Sequence, residues 1–462
     1  MTPVEMKRLE KAIEKISAKA KEFGLDFFDM RFEVCPADII YTFGAYGMPT
    51  RYAHWSFGKS FHRMKTQYDY NLSKIYELVI NTDPCYAFLL EGNSLVQNKL
   101  VAAHVFAHND FFKNNYWFGH TSRNMLDTMA ASAERIADYE HKYGREKVEK
   151  YLDAALALQE HIDPHVRIKK AVRSVKIKRE TPYDDLWNLD RDQQTEIEED
   201  AKKIPAEPEK DVLGFIMENS RSLEDWQRDI VSVVRSEMLY FWPQLETKIM
   251  NEGWATYWHL KLMREVELTE DEAVEFAKMH AGVIQKSRMS INPYLVGLKI
   301  WEDIEKRWNK PTDEEREKFG RTGGEGRQKM FEVRANENDV SFLRNYLTKQ
   351  LAEDLDLYLY KKVYTKWQVT ETSWETVRDG MIFLLTNCGY PYILVEDGDY
   401  RKNGELYLKH GHDGRDLDIY YLEKTLPYVY KLWGRPVHLE TKVDNKIMLY
   451  SYNGEKVTKK SM

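Results

Sequence analysis

The chain has few cysteines, no surplus of basic residues and no long apolar run, and each shortage closes off a class of function. Three cysteines occur in 462 residues, Cys35, Cys85 and Cys388, far apart and with no Cys-x-x-Cys spacing. That excludes a disulfide framework and a zinc ribbon, and it fits a reducing cytosol. The net charge is −7, so no cationic surplus exists to neutralise phosphates, and a general nucleic-acid binder is not expected. No run of about 18 apolar residues occurs, so no membrane span is predicted. The N-terminal MTPVEMKRLEKAIEKISAKAKEFG mixes charges with apolar residues and lacks the apolar core of a signal peptide. A cytoplasmic protein is expected on these grounds. The glycines of RTGGEGR at 321–327 follow no strand and lack a phosphate-binding spacing, so no nucleotide is expected.

What is present is a hydrophobic fraction of 43% against 31% charged, the balance of folded globular domains. The length allows two or three of them. Val4, Leu9, Ile13 and Ile16 recur at helical spacing and Gly24 ends that run. DFFDMRFEV and DIIYTFGAYG read as strands, as do IYELVI (75–80) and CYAFLLEG (85–92), which a turn composition joins. Asn93-Ser94 is placed to cap a helix over 95–112, and helices follow over 123–143 and 145–161. In SINPYLVGLKIWEDIEKRW, Asn292 is placed to cap and Pro293 to occupy the first helical position. MIFLLTN, YILVED, ELYLKHGH, VHLETKV and IMLYSYN read as short strands, and EDGDYRKNGELYL as a hairpin. The expected fold is therefore α+β: mainly helical with a small sheet, and with a β-rich C-terminal domain. Its regions are 1–177, an acidic linker or excursion at 178–210, a helical region at 211–350, and the β-rich domain at 365–462.

Chemistry concentrates at two places. His104 and His108 stand at i and i+4 on one face of a predicted helix, where two imidazoles can reach one metal ion. The plain alternative is a pair of buried histidines bonded to backbone or carboxylates. The other place is Asn251-Glu252-Gly253-Trp254-Ala255-Thr256-Tyr257. Gly costs about 1 kcal/mol in a helix interior relative to Ala, so Gly253 implies a close approach, or Glu252 must be aimed at a particular place. His259, two turns beyond Glu252, is a fourth ligand, an acid or base, or a histidine satisfying helix-end carbonyls. Tyr294 is an oxyanion donor or a core residue. The aromatic and basic stretch 50–71 is a packed wall, or the rim of a substrate pocket built from Arg51, His54 and Lys59. Glu134, Asp138 and His141 share a helical face and read as a solvated stripe. Glu237 and Glu246 flank the Glu252 segment, but no paired Glu-x-x-His units accompany them, which argues against a carboxylate-bridged two-metal bundle.

The Asn-Glu-Gly-aromatic-Ala segment followed by Tyr, with the histidine pair and the apolar strand 85–91 before it, resembles the gluzincin metallopeptidases. The resemblance implies a zincin-like region, His104, His108 and Glu252 as ligands of a divalent transition metal with zinc first among the candidates, and 85–91 as the substrate-binding edge strand. It also implies that Gly253 and Trp254 let their helix sit close to the histidine helix. Two departures matter: His108 and Glu252 stand 144 residues apart, far more than in most such enzymes, and Val105 stands where those enzymes carry their general-base Glu. Along almost its whole length, through MPTRYAHWSFGK, HVFAHNDFF and IMNEGWATYWH, the chain resembles the stage V sporulation protein R (SpoVR) family. That likeness implies a role in forming the spore cortex, a peptidoglycan layer, from the mother-cell cytoplasm. Its partners would be sporulation proteins or a peptidoglycan-related substrate. Relatives in bacteria that make no spores imply a more general biochemical act. Two functions follow: a metal-dependent hydrolase of a peptide or amide bond, or a non-catalytic scaffold on a degenerate metallopeptidase-like domain.

Overall fold

Ser94 and Gln97 start the helix around which the first half of the molecule is organised. The Ser94 hydroxyl accepts from the Gln97 N–H, and the Gln97 side chain accepts from the Ser94 N–H. This reciprocal cap satisfies two first-turn donors. The helix then runs Leu95–Asn114, and it is buried almost from end to end. Every polar side chain on such a helix must find a partner inside the protein.

The structure is a computed structural model and describes residues 2–70, 72, 74–165, 204–286, 290–363 and 366–462. It is an α+β fold, mainly helical, with a three-stranded sheet in the N-terminal region and a five-stranded sheet in the C-terminal region. Two units divide it: Met1–Ala131 with Pro243–Gly389, and Ser132–Trp242 with Tyr390–Met462. Most of the acidic stretch expected at 178–210 lies outside the described residues.

In the first unit, strands β1 (Met30–Cys35), β2 (Glu77–Ile80) and β3 (Cys85–Leu90) are ordered β1-β3-β2. β3 pairs with β1 in parallel and with β2 antiparallel. The apolar strand is therefore central, not an edge. Its CYAFLL run is apolar because both of its faces are covered, and the edges are β1 and β2. Two further strands, β4 (Leu359–Val363) and β5 (Lys366–Glu371), pair antiparallel.

Two more helices complete the frame. The glutamate helix, Lys248–Met263, is capped from a distance: the Asp339 carboxylate accepts from the N–H groups of Ile249 and Met250 at 2.8 and 2.9 Å. Burial pushes the Asp339 carboxyl up to about 7, against the pull of those two N–H groups. The second helix, Pro293–Asn309, begins at Asn292, whose side chain accepts from Tyr294 and Leu295. These two helices touch backbone to backbone. A Cβ on Gly253 would stand 2.3 Å from the Gly297 carbonyl carbon, and one on Gly297 would stand 2.1 Å from the Ile249 oxygen. The close approach implied at Gly253 is thus made to Pro293–Asn309 and not to the histidine helix.

Trp254 makes the link to the histidine helix. Its Nε1–H donates to Asp110 Oδ2 at 2.9 Å, while Asp110 Oδ1 accepts from the Asp26 N–H and pairs with Arg334 at 2.6 Å. Burial pushes the Asp110 carboxyl up and Arg334 opposes it. Asp110→Ala would leave the buried Arg334 charge unpaired, at an expected cost of about 3–5 kcal/mol. A urea unfolding midpoint reads this loss, and adding Arg334→Met should recover part of it.

The second unit carries β6 (Ile393–Tyr400), β7 (Glu405–His410), β8 (Val437–Val443), β9 (Lys446–Tyr452) and β10 (Val457–Ser461), in spatial order β10-β9-β8-β7-β6. β6 and β7 form the expected hairpin, with Arg401, Lys402 and Gly404 at positive φ in its turn. β7 and β8 are parallel, and the helix Ile419–Trp433 makes the crossover between them.

Three segments depart from the strand reading or add to it. DIIYTFGAYG is the helix Ala37–Tyr46, set by Pro36 before it and by Gly47 at φ 76° after it. MIFLLTN belongs largely to the helix Trp374–Leu385. The stretch 50–71 contains the helix Trp55–Asp69, capped by the His54 side chain.

Candidate metal centre

The histidine helix is buried, so His104 and His108 point into the protein, with ring centroids 4.6 Å apart. The glutamate helix crosses beside them and brings Glu252, whose Oε2 lies 3.5 Å from each of His104 Nε2 and His108 Nε2. Edge strand β2 brings a fourth donor, Glu77, with Oε1 3.6 Å from His104 Nε2. Ligand atoms on a tetrahedron about 2.0–2.1 Å from a metal stand about 3.4 Å from one another. The spacings from Glu252 to both imidazoles and from Glu77 to His104 are of that size. Glu77, His104 and His108 each offer an atom within 4.8 Å of the others.

Two observations test whether the residues fit a cation. Glu77 Oε2 and Glu252 Oε2 are buried and make no hydrogen bond. Buried carboxylate oxygens without donors are costly unless a cation faces them. The second concerns tautomers. Asn251 Oδ1 lies 2.8 Å from His108 Nδ1 and can only accept, so Nδ1 carries a proton and Nε2, the nitrogen that faces Glu252, is the one left to ligate a metal. His104 Nδ1 lies 2.9 Å from His259 Nδ1, and His259 Nε2 lies 3.1 Å from His280 Nδ1. When His104 donates along this chain, its Nε2 is likewise free to ligate. Outer partners that orient imidazoles in this way are typical of metal sites. The donor set, two imidazoles and two carboxylates, fits a divalent transition metal.

The electrostatics follow from the crowding. Burial alone would raise the Glu252 carboxyl, but His104 and His108 outweigh it and hold the group well below the usual carboxylate range. Burial lowers His108, yet Glu252 more than restores it and leaves it raised. Burial raises the Glu77 carboxyl, with the two imidazoles opposing. Burial, with Glu252 and Glu77 adding to it, pushes the Tyr294 phenol up, so it stays protonated beside the carboxylates. Burial among imidazoles drives His259 far below its ordinary value and keeps it neutral. Asn251→Ala should weaken metal affinity by about 10–100-fold through loss of the His108 anchor. Competition against a chromogenic chelator measures this.

His104, His108 and Glu252 thus come together, and Tyr294 stacks 6.1 Å from the His104 ring. His259 is seated behind His104, with both nitrogens turned to other histidines. Arg51, His54 and Lys59 line no part of this cleft. Arg51 donates to the Tyr46 carbonyl and lies over Phe57, His54 caps its helix, and Lys59 is exposed. Glu134, Asp138 and His141 are exposed on their helix. Glu77 was not picked out from the sequence. The available signal was a single charged residue in the apolar run IYELVI. The centre opens into a cleft of about 920 Å³, with Gln244, Lys248 and Tyr294 among its lining residues.

Comparison with known proteins places the chain in a family. The model for "SpoVR like protein" matches residues 3–390, and that for the "SpoVR-like C-terminal domain" matches 391–444. A relative from Escherichia coli (strain K12), Uncharacterized protein YcgB, is 30% identical over 469 residues, covering 94% of this chain and 91% of that protein. No solved structure matches. The chain belongs to the SpoVR family, and that membership suggests a sporulation-related protein.

Proposed function

We propose that this chain is a metal-dependent hydrolase of the sporulation programme, cutting a peptide or amide bond in spore-cortex peptidoglycan material from the mother-cell cytoplasm. The observation that carries this reading is the convergence of four donor atoms, two of them on carboxylates with an unbonded buried oxygen, beside a cleft. Zinc is the first choice for two imidazoles with carboxylates. Bound there, a divalent ion would polarise a carbonyl and acidify a water.

The chain's own residues divide the remaining work. Val105 is fully buried among apolar neighbours and carries no proton, so the base cannot come from its position. With His104, His108 and Glu252 as ligands, one position of a metal would stay open for water, and Glu77 Oε2, buried and unbonded at the same place, is the atom positioned to take that water's proton. The protonated Tyr294 hydroxyl is the donor available to a developing oxyanion. His259 holds His104 in orientation and touches no substrate atom.

Val105 also favours a second reading, in which the domain is a scaffold that binds sporulation partners without catalysis. Elemental analysis of untagged protein purified without chelator separates the two. About one equivalent of transition metal, with release of products from peptidoglycan fragments, is the expected result. Metal-free, folded wild type with no such release overturns the hydrolase reading.

A further inference from the structure

The two carboxylates on the cleft wall, Glu77 and Glu252, both turn to the histidines, and the other charged residues lining it are Lys74, Lys248 and Lys278. They come from three elements: the segment before β2, the first turn of the glutamate helix, and the helix Glu270–Val283. Lys248 and Lys278 are exposed. Lys74 is held by neutral acceptors, Gln97 Oε1 at 3.2 Å and the Gly92 carbonyl at 3.4 Å, and lies over the Tyr76 ring. Among the described residues, none of the three makes an ion pair, whereas Lys99, Lys261 and Lys65 elsewhere in this unit all do. Glu275 lies close enough to Lys74, and Lys248 close enough to Asp339, for the charges to be felt. Glu275 is bonded by Ser94 and Gln97, and Asp339 by the start of the glutamate helix.

A divalent ion and two carboxylates cancel, which leaves three ammonium groups at the cleft of a chain whose net charge is −7. A cleft of one sign focuses its field on ligands of the other sign. A neutral substrate gains nothing from these cations, and a cationic one is repelled. Resting on the metal-site reading above, we infer that the substrate of this cleft carries an anionic group, a carboxylate or a phosphate, received by Lys74, Lys248 and Lys278. A peptide whose cleaved bond lies close to a free carboxylate meets that requirement, with the amide at the histidines and the carboxylate at the lysines.

The test uses the full-length, metal-loaded protein and the Lys248→Glu/Lys278→Glu double variant, with metal content measured on both. Probes in calorimetric titration are an N-acetyl dipeptide with a free C-terminal carboxylate, the same dipeptide as its C-terminal amide, and inorganic phosphate. The expected result is binding of the free acid, phosphate or both, little binding of the amide, weakening with salt, and a loss of about tenfold or more in the double variant at unchanged metal content. Tighter binding of the acid identifies a carboxylate, and tighter binding of phosphate a phosphoryl group. Equal binding of acid and amide with no phosphate binding, binding of none of the three, or indifference to the double reversal overturns the inference while leaving the metal site standing. Metal-free wild type overturns the site reading instead. The lysine-dependence of anion binding to that protein then decides this inference separately.

Discussion

Gly297→Ala should destabilise the protein by about 2–3 kcal/mol, although the same change on an open helix face is favourable by about 1 kcal/mol. The reason is the crossing of the two helices. The added methyl would meet the Ile249 carbonyl oxygen at 2.1 Å and Gly253 Cα at 2.7 Å. Both are backbone atoms, so no side chain can rotate aside, and only separation of the helices relieves the clash. Gly253→Ala should behave in the same way, since its Cβ would meet Gly297 and Leu298 backbone. Gly58→Ala, in the helix Trp55–Asp69 with nothing within 4 Å of its Cβ, is the control and should be neutral or slightly stabilising. Urea midpoints at constant slope read all three. A Gly297→Ala protein as stable as wild type would show that the helices do not cross this closely. Because Glu252 adjoins Gly253, the strained variants should also hold metal poorly, although neither glycine offers a ligand.

Loss of metal is the second large effect. Glu252→Gln keeps the shape of the side chain and removes the charge that faces both Nε2 atoms. His108→Ala removes a donor and its Asn251 anchor together. His108→Ala should fall from about one equivalent of bound metal to nearly none, and Glu252→Gln, which keeps two imidazoles and Glu77, should hold metal only weakly, with helix content by circular dichroism unchanged. Glu77→Gln should retain metal weakly and lose hydrolysis, because two imidazoles and Glu252 remain as ligands while the proton acceptor is gone. Full metal occupancy in the folded Glu252→Gln and His108→Ala variants would place any bound ion elsewhere.

Local patterns in the chain were legible wherever one segment carried its own signal. Ser94 and Gln97 announce the histidine helix, Asn292 and Pro293 announce another, and the spacing of His104 and His108 needs only the helical repeat. The strand reading of DIIYTFGAYG failed because aromatic and β-branched residues favour strands in general. Here Ile40 and Tyr41 are buried on one side of a helix, with the Tyr41 hydroxyl accepting from the Ile75 N–H. No local pattern announces the helix Ile419–Trp433, because Pro427 within it reads as a breaker. Arg51 and His54 looked like pocket residues because composition alone cannot tell a polar rim from a capped helix packed through a cation–π contact.

By itself the sequence determined which residue types could bind a metal, that Val105 could not serve as a base, and that, among the described residues, no helix is long and apolar enough to cross a membrane. These are properties of single residues or of one continuous segment, and they survive whatever the rest of the chain does. Only the tertiary structure decided that Glu77 joins the histidines, that His259 stands behind them, that Gly253 meets Gly297, and that three lysines share one cleft. Each of those depends on how strands and helices far apart in sequence cross. A crossing is set by the summed packing of many side chains, which no local spacing records.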